Sequence, residues 1–289
     1  MPQAKIAVIG GSGLYEIEGL AGIEEVDINT PFGKPSDKIL VGKLEGVGIA
    51  FLPRHGRGHR LLPTEVPYRA NIYALKSLGV ERLIGINSVG SLKEEFQPND
   101  LLIPDQLIDR TRLRANTFFG DGIVAHVSFG EPFCPSLNQL VYQSARDAGA
   151  TAHKGGTYVV MEGPAFSTRA ESLLYRAWGA DVIGMTALPE AKLAREAEIC
   201  YAVIACVTDY DCWHRSHDAV TAEMIISRLR QNIDTAKRII RLVVGKVPQQ
   251  RDCNCATALS TAIVTAPEVM PAAQKKKLDL LIGKYLKKD

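Results

Sequence analysis

The chain has 289 residues, enough to bury the core of one large α/β domain and short for two. Its 34 Lys+Arg against 32 Asp+Glu leave a formal net charge of +2. That balance offers no broad field to hold a nucleic-acid backbone, so no nucleic-acid partner is expected. Hydrophobic residues at 46% and charged residues at 23% match ordinary folded chains and exclude disordered, collagenous and disulfide-dense classes.

The first apolar stretch, Ile6-Ala7-Val8-Ile9, runs straight into Gly10-Gly11 and is too short for a signal-peptide core. The longest, Ile199 to Val207, falls below the roughly 18 residues of a membrane helix, so no membrane partner is expected and the cytoplasm is the expected compartment. Short apolar runs bounded by glycine and proline alternate with stretches of helical spacing, the pattern of an α/β layer architecture. Strands are expected at Lys5 to Ile9, Lys38 to Leu44, Gly48 to Leu52, Arg82 to Asn87, Asp100 to Pro104, Thr157 to Met161, Val182 to Met185 and Cys200 to Thr208. Helices are expected at Asn71 to Leu78, ending at Gly79, and at Thr168 to Trp178, where Thr168-Arg169-Ala170-Glu171 forms a capping box. A third follows Pro189 to Ala197, and two amphipathic helices, about Ala222 to Val243 and Ala272 to Leu286, close the chain. Pro248 to Asp252 is linker-like and separates a domain of residues 1–248 from an extension, 249–289, packed on the same domain or at a subunit interface. In that extension Leu278, Leu281, Ile282 and Tyr285 share one helix face with lysines opposite, which suits packing on its own protein better than lying on a membrane.

Four segments carry chemistry. Gly10-Gly11-Ser12-Gly13 follows a buried strand, as anion-binding turns do, but Glu16 stands where a dinucleotide fingerprint needs its third glycine. A hydroxyl among glycines suits one small oxyanion. Arg54-His55-Gly56-Arg57-Gly58-His59-Arg60 places three arginines and two histidines after a strand and reads as an anion site. The His55/His59 spacing resembles a zinc-helix pair, yet the glycines disfavour a helix and the arginines repel a cation, so no metal is expected there. Phe166, between a strand end and a capped helix, is either core or a flat face for a planar ligand. Asp209 and Asp211 end a buried strand. On extended backbone, side chains two apart share a side, and such a pair can accept from an N–H and an amine or share proton chemistry if burial raises one pKa. Calcium would need more oxygen ligands than this segment offers. Of six cysteines, Cys134, Cys200, Cys206 and Cys212 read as buried thiols, while Cys253-Asn254-Cys255 is open to three readings: a small disulfide ring, a soft-metal ligand pair, or two unpaired thiols.

These motifs, in this order from about residue 5 to 243, resemble the 5′-methylthioadenosine phosphorylases of the trimeric purine nucleoside phosphorylase superfamily. The resemblance is carried by Ile9 to Leu14, Arg54 to Arg57, Gly90 to Leu92, Gln106 to Thr111, Glu131 to Pro135, Glu162 to Pro164, Arg169 to Glu171, Met185-Thr186 with Pro189-Glu190, and Thr208 to Trp213. It implies a single α/β domain whose central mixed β-sheet curls into a distorted barrel flanked by helices. It implies a pentosyltransferase in which phosphate attacks C1′ of methylthioadenosine, releasing adenine and 5-methylthioribose 1-phosphate in purine and methionine salvage. Phosphorylases for methylthioinosine, inosine or adenosine, and a non-catalytic nucleoside-binding protein, are the alternatives. By position, Ser12, Arg54, His55, Asn87, Ser88 and Thr186 fall on the family's phosphate contacts, although Asn87-Ser88 stands where the family often has Thr-Ala. Phe166 falls on the residue packed against the purine, Met185 on the one beneath the ribose, and Asp209 and Asp211 on the acids at the purine edge. His126, Pro63, Val220 and Ile226 fall near the methylthio pocket, the histidine crossing from a neighbouring subunit. The family's Gly-Pro-Arg-Phe is Gly163-Pro164-Ala165-Phe166 here. A homotrimer, or a dimer of trimers, is implied, with phosphate as co-substrate and neither cofactor nor metal. Some thermophilic members carry a Cys-x-Cys disulfide.

The residue types fit that chemistry. Glycosidic cleavage builds positive charge on the sugar, which a phosphate dianion held by Arg54 would stabilise and capture. Adenine leaves poorly as an anion, so a protonated Asp209 beside N7 would neutralise it, while an ionised Asp211 accepts from the 6-amino group. An asparagine at the first position would instead donate to the O6 of a 6-oxo purine.

Overall fold

The computed structural model describes residues 2–11, 13–14, 16–214 and 222–286, with the backbone alone for 222–231. The elements run β1 (Ile6–Gly10), β2 (Ala21–Val26), β3 (Ile39–Leu44), β4 (Val47–Pro53), α1 (Tyr68–Ser77), β5 (Arg82–Ser91), β6 (Leu101–Ile103) and β7 (Gln106–Arg110). They continue as α2 (Pro135–Asp147), β8 (Ala152–Lys154), β9 (Thr157–Met161), α3 (Arg169–Ala177), β10 (Val182–Gly184), α4 (Glu190–Glu196), β11 (Cys200–Asp209), α5 (Ala222–Lys246) and α6 (Ala272–Leu286).

Among the described residues eleven strands belong to one mixed sheet that does not close on itself, in keeping with a distorted barrel. Strand β5 is its hub. Parallel β1 takes residues 82–85 on one flank, antiparallel β10 takes residues 90–91 further along, and β11 runs parallel to nearly its whole length. The C-terminal ends of parallel β1, β4, β5 and β11 therefore point the same way, and Gly10 pairs with Pro53 while Asp209 pairs with Gly90. Open α/β sheets place ligands at this edge. Every residue of β1 and β11 is buried, which is why both read as unbroken apolar runs in the sequence.

Four elements depart from the expected set. Strand β2 is exposed along almost its whole length and so lacks an apolar period, while β7 is half-buried and β8 spans three residues. Helix α2 buries Asn138 and Ser144 beside Leu137, Val141 and Ala145, so polar residues interrupt its apolar stripe. The strand expected to end at Asn87 runs on to Ser91, because pairing with β11 carries β5 that far. The capping box at α3 is formed, with the Glu171 amide donating to Thr168 Oγ1 at 3.2 Å and the Thr168 amide to Glu171 Oε2 at 2.8 Å. Beyond the linker, Leu259, Ala262, Met270, Leu278, Leu281 and Ile282 are buried in the same apolar cluster as α1 and α4, so the extension packs on the body of the domain.

Candidate active site

Arg54, one residue past β4, is 2% exposed and makes a bidentate pair with Glu190 at the start of α4, Nε to Oε2 and Nη2 to Oε1, both 2.9 Å. Nη1 donates to the Ile86 carbonyl at 3.0 Å, and Nη2 reaches the Ile9 carbonyl at 3.2 Å and Asn87 Oδ1 at 3.1 Å. Burial opposes its charge, but the Glu190 carboxylate more than offsets this and holds the guanidinium ionised. Gly85 makes the room, since a Cβ there would lie 2.9 Å from the Tyr201 hydroxyl and 3.2 Å from Arg54 Nη2. Asn87 passes the network on, its Nδ2 donating to Thr186 Oγ1 at 3.0 Å and to the Tyr158 hydroxyl at 3.3 Å. Three of the residues read as phosphate contacts, Arg54, Asn87 and Thr186, are thus brought into one hydrogen-bonded chain. Ser88 follows on β5, half-buried.

The basic segment does not act as a block. Arg57 turns to Glu25 at 2.6 Å and Arg60 to the Ser36 carbonyl at 2.7 Å, both away from the buried guanidinium. The carboxylates that draw them out lie on β2 and the loop before β3. His55 stays half-buried, its Nδ1 donating to the Leu61 carbonyl at 2.8 Å and its ring stacked on His59 at 4.3 Å. Burial pushes its pKa down to about 4, with the Arg54 charge adding to the effect, so near neutral pH the ring is neutral and Nε2 is an acceptor.

At the other end of the edge, Asp209 accepts from the Thr208 hydroxyl at 2.7 Å and the Asp211 amide at 2.8 Å. The strand stops there. Asp211 takes φ 48°, so a turn closed by the Asp209 carboxylate, not the alternation of an extended strand, sets the two acids side by side. Burial, assisted by the Asp209 charge and tempered by the nearby Ser172 and Ser167 side chains, pushes Asp211 up to about 6, and its buried Oδ2 has no hydrogen bond of good geometry among the described residues. Of the two acids, Asp211 is thus the one that burial visibly raises. Gly90 leaves room for both, because a Cβ there would lie 2.9 Å from Asp209 Oδ1 and 3.2 Å from the Asp211 Cβ. Phe166 is 44% exposed, and Met185 is half-buried with its sulfur against Gly163, whose φ of 68° and missing Cβ let the two approach.

Two residues that hold this geometry had no role in the sequence reading. Glu190 is one. The other is buried Arg114, whose Nη1 donates to the carbonyls of Met185 and Leu188 and at 3.2 Å to the Tyr68 hydroxyl. Its Nη2 donates to the Glu162 carbonyl at 2.6 Å, so one side chain ties the segments after β9 and β10 to the start of α1. Tyr68 in turn donates to the carbonyl of buried Pro63 at 3.0 Å. A buried arginine in a stretch of polar neighbours is indistinguishable in sequence from a surface one; only its partners identify it. His126 is exposed, and its backbone amide donates to the Ala262 carbonyl at 2.8 Å. Ser12 and Val220 lie outside the described residues, as does the side chain of Ile226 on α5.

One strand edge thus carries a buried arginine network at one end and paired acids at the other. The chain belongs to the phosphorylase superfamily, whose family model matches residues 5–245. It is 60% identical over 282 residues to the S-methyl-5′-thioadenosine phosphorylase of Geobacter sulfurreducens, covering 97% of this chain and 99% of that one. It is 58% identical to the same enzyme of Koribacter versatilis, covering 98% and 97%. Among solved structures it is similar to a methylthioadenosine phosphorylase from an antarctic soil metagenomic library, with TM-score 0.93, 51% identity and coverage of 97% and 99%. It is also similar to the Schistosoma mansoni methylthioadenosine phosphorylase in complex with adenine, with TM-score 0.80, 37% identity and coverage of 86% and 93%.

Proposed function

We propose that this chain catalyses the reversible phosphorolysis of 5′-methylthioadenosine. A phosphate oxygen forms a bond to C1′ as the C1′–N9 bond breaks, the electron pair leaves with adenine, and a proton delivered at N7 yields neutral adenine and 5-methylthioribose 1-phosphate. The observation that carries this reading is the placement of both chemistries on β5, with Asn87 in the Arg54–Thr186 network and Gly90 beside the two acids. Relatives 58–60% identical along nearly the whole chain carry the same activity in their names.

Arg54 works as an immobilised cation. Glu190 and two carbonyls fix its plane, and among the described residues one Nη1 hydrogen remains without an acceptor. That hydrogen, the Thr186 hydroxyl and His55 supply the phosphate, which then sits where the oxocarbenium charge develops, with no reorganisation at the moment of reaction. We place the proton for N7 on the Asp209–Asp211 pair. Asp211 is the member that burial holds near neutrality, and base binding would bury both acids further. Phe166 offers an exposed ring for the purine, and Met185 lies beneath the sugar. The reaction as proposed uses no cofactor. A homotrimer in the cytoplasm is the setting that fits it, and exposed Val124, two residues from exposed His126, supports an interface through which that histidine enters a neighbour's methylthio pocket.

Product analysis tests the assignment. Incubation with methylthioadenosine and phosphate is expected to release adenine and 5-methylthioribose 1-phosphate, with no release when phosphate is omitted. Faster turnover of inosine would replace the adenine assignment by a 6-oxo purine, and no phosphate-dependent consumption of any nucleoside would reduce the chain to a binding protein.

A further inference from the structure

Far from the phosphate and purine ends of the sheet, four cysteines from three parts of the chain converge. Cys134 precedes the first turn of α2, Cys200 opens β11, and Cys253 and Cys255 flank Asn254 in the extension, where Asn254–Thr257 forms a short 3-10 turn. Their sulfurs all lie within 4.8 Å of one another, with Cys200 and Cys253 at 3.3 Å. Cys134, Cys200 and Cys255 are buried and Cys253 is half-buried. A tetrahedral zinc bound by four thiolates at about 2.3 Å has sulfur–sulfur edges of about 3.8 Å, which this cluster brackets. An iron–sulfur cluster, whose inorganic core stands between the ligands, needs a wider cage.

We propose that Cys134, Cys200, Cys253 and Cys255 form a structural zinc site that clamps the C-terminal extension to the start of α2 and the start of β11. All four ligands come from the protein, so no position is open for chemistry, as in structural and not catalytic zinc sites. On binding, each Cys Sγ–H bond is replaced by an Sγ–Zn bond and its proton passes to solvent, leaving a centre of charge −2 with no change of oxidation state. The surroundings suit that charge. Arg82 and Arg251 line the cavity of about 100 Å³ that borders Cys134, Cys200 and Cys253, and the first amides of the thirteen-residue α2 turn their positive end toward Cys134. The frame is rigid, since the Cys134 amide donates to the Tyr201 carbonyl at 2.8 Å and Arg251 Nη1 to the Glu198 carbonyl at 2.7 Å. Soft thiolates favour zinc over the hard cations available to an intracellular chain.

Elemental analysis of the full-length protein, purified without chelator from zinc-supplemented cells, tests this. One zinc per chain is expected in the wild type and in Cys206→Ala, whose thiol is buried outside the cluster, and loss of zinc is expected in Cys255→Ser. Should that variant fail to fold, cobalt exchange into the wild type still decides, with thiolate-to-cobalt charge-transfer and tetrahedral d–d absorption expected. Metal-free folded protein in which all four thiols alkylate, or disulfides among these cysteines found by mass spectrometry without reduction, would overturn the proposal.

Discussion

The two ends of the sheet edge are built on opposite terms. At the phosphate end, Arg54, Glu190, Asn87, Thr186 and Tyr201 satisfy one another almost completely, the Tyr201 hydroxyl donating to Glu190 Oε1 at 2.7 Å. At the other end, Asp211 keeps a buried oxygen with no hydrogen bond of good geometry among the described residues, and Phe166 shows 44% of its surface. Satisfied groups hold position before the ligand arrives, whereas an unmatched acceptor and a bare ring gain only when it does. On the proposed function, the first end would serve as an orienting frame and the second as the place of base recognition and proton transfer.

The largest expected effect comes from the purine end. Asp209→Asn should lower kcat/KM for methylthioadenosine by about 10²–10⁴-fold while phosphate affinity holds, because it removes one carboxyl of the pair proposed to deliver the proton to a poor leaving group. Steady-state adenine release with phosphate titrated separately measures both, and unchanged turnover would remove Asp209 from the chemistry. The same variant should gain inosine relative to methylthioadenosine, its amide donating to O6. At the phosphate end, Glu190→Ala should cost about 3–5 kcal/mol of folding stability by urea denaturation, since it strands a buried guanidinium. A loss under about 1 kcal/mol would mean that the carbonyls alone hold Arg54.

A subtler contrast concerns pH. Asp211 titrates near 6 in the folded chain against a usual 3.8, so between those values the folded chain binds more protons than the unfolded one, and this group's contribution to stability falls as pH rises through that window. Asp211→Asn should accordingly be more stable than the wild type above pH 6 by about 1–3 kcal/mol, the difference closing toward about pH 4. Parallel denaturation curves across that range would disprove the burial argument. The smallest effect is Phe166→Ala, expected to raise KM for the nucleoside roughly tenfold, about 1.4 kcal/mol of lost ring stacking, with KM for phosphate unmoved.

Much of the fold was legible because its central strands are buried on both faces. Strands β1, β4, β5 and β11 stand out as β-branched and aliphatic runs, and the helix after Thr168 carries its cap in the sequence. Strand β2 and helix α2 were not legible, one being exposed and the other burying Asn138 and Ser144, so neither leaves a clean apolar period. The site divides in the same way. The candidate residues Arg54 and Asp209 could be picked out because each sits at the end of an apolar run, and Asn87 because the apolar run of β5 stops there although the strand continues.

The amino-acid sequence by itself determined the α/β class, the apolar runs whose ends carry the candidate anion and base residues, and the resemblance to the phosphorylase family. Only the tertiary structure decided that Glu190 neutralises Arg54 from 136 residues away, that Arg114 staples three segments, that Arg57 and Arg60 face outward, and that Cys134 and Cys200 meet Cys253 and Cys255. The reason is the range of the interaction. Periodicity, capping and turn chemistry act over a few residues and leave a local imprint, whereas a buried charge or thiol takes its meaning from partners that the sheet delivers across the whole length of the chain.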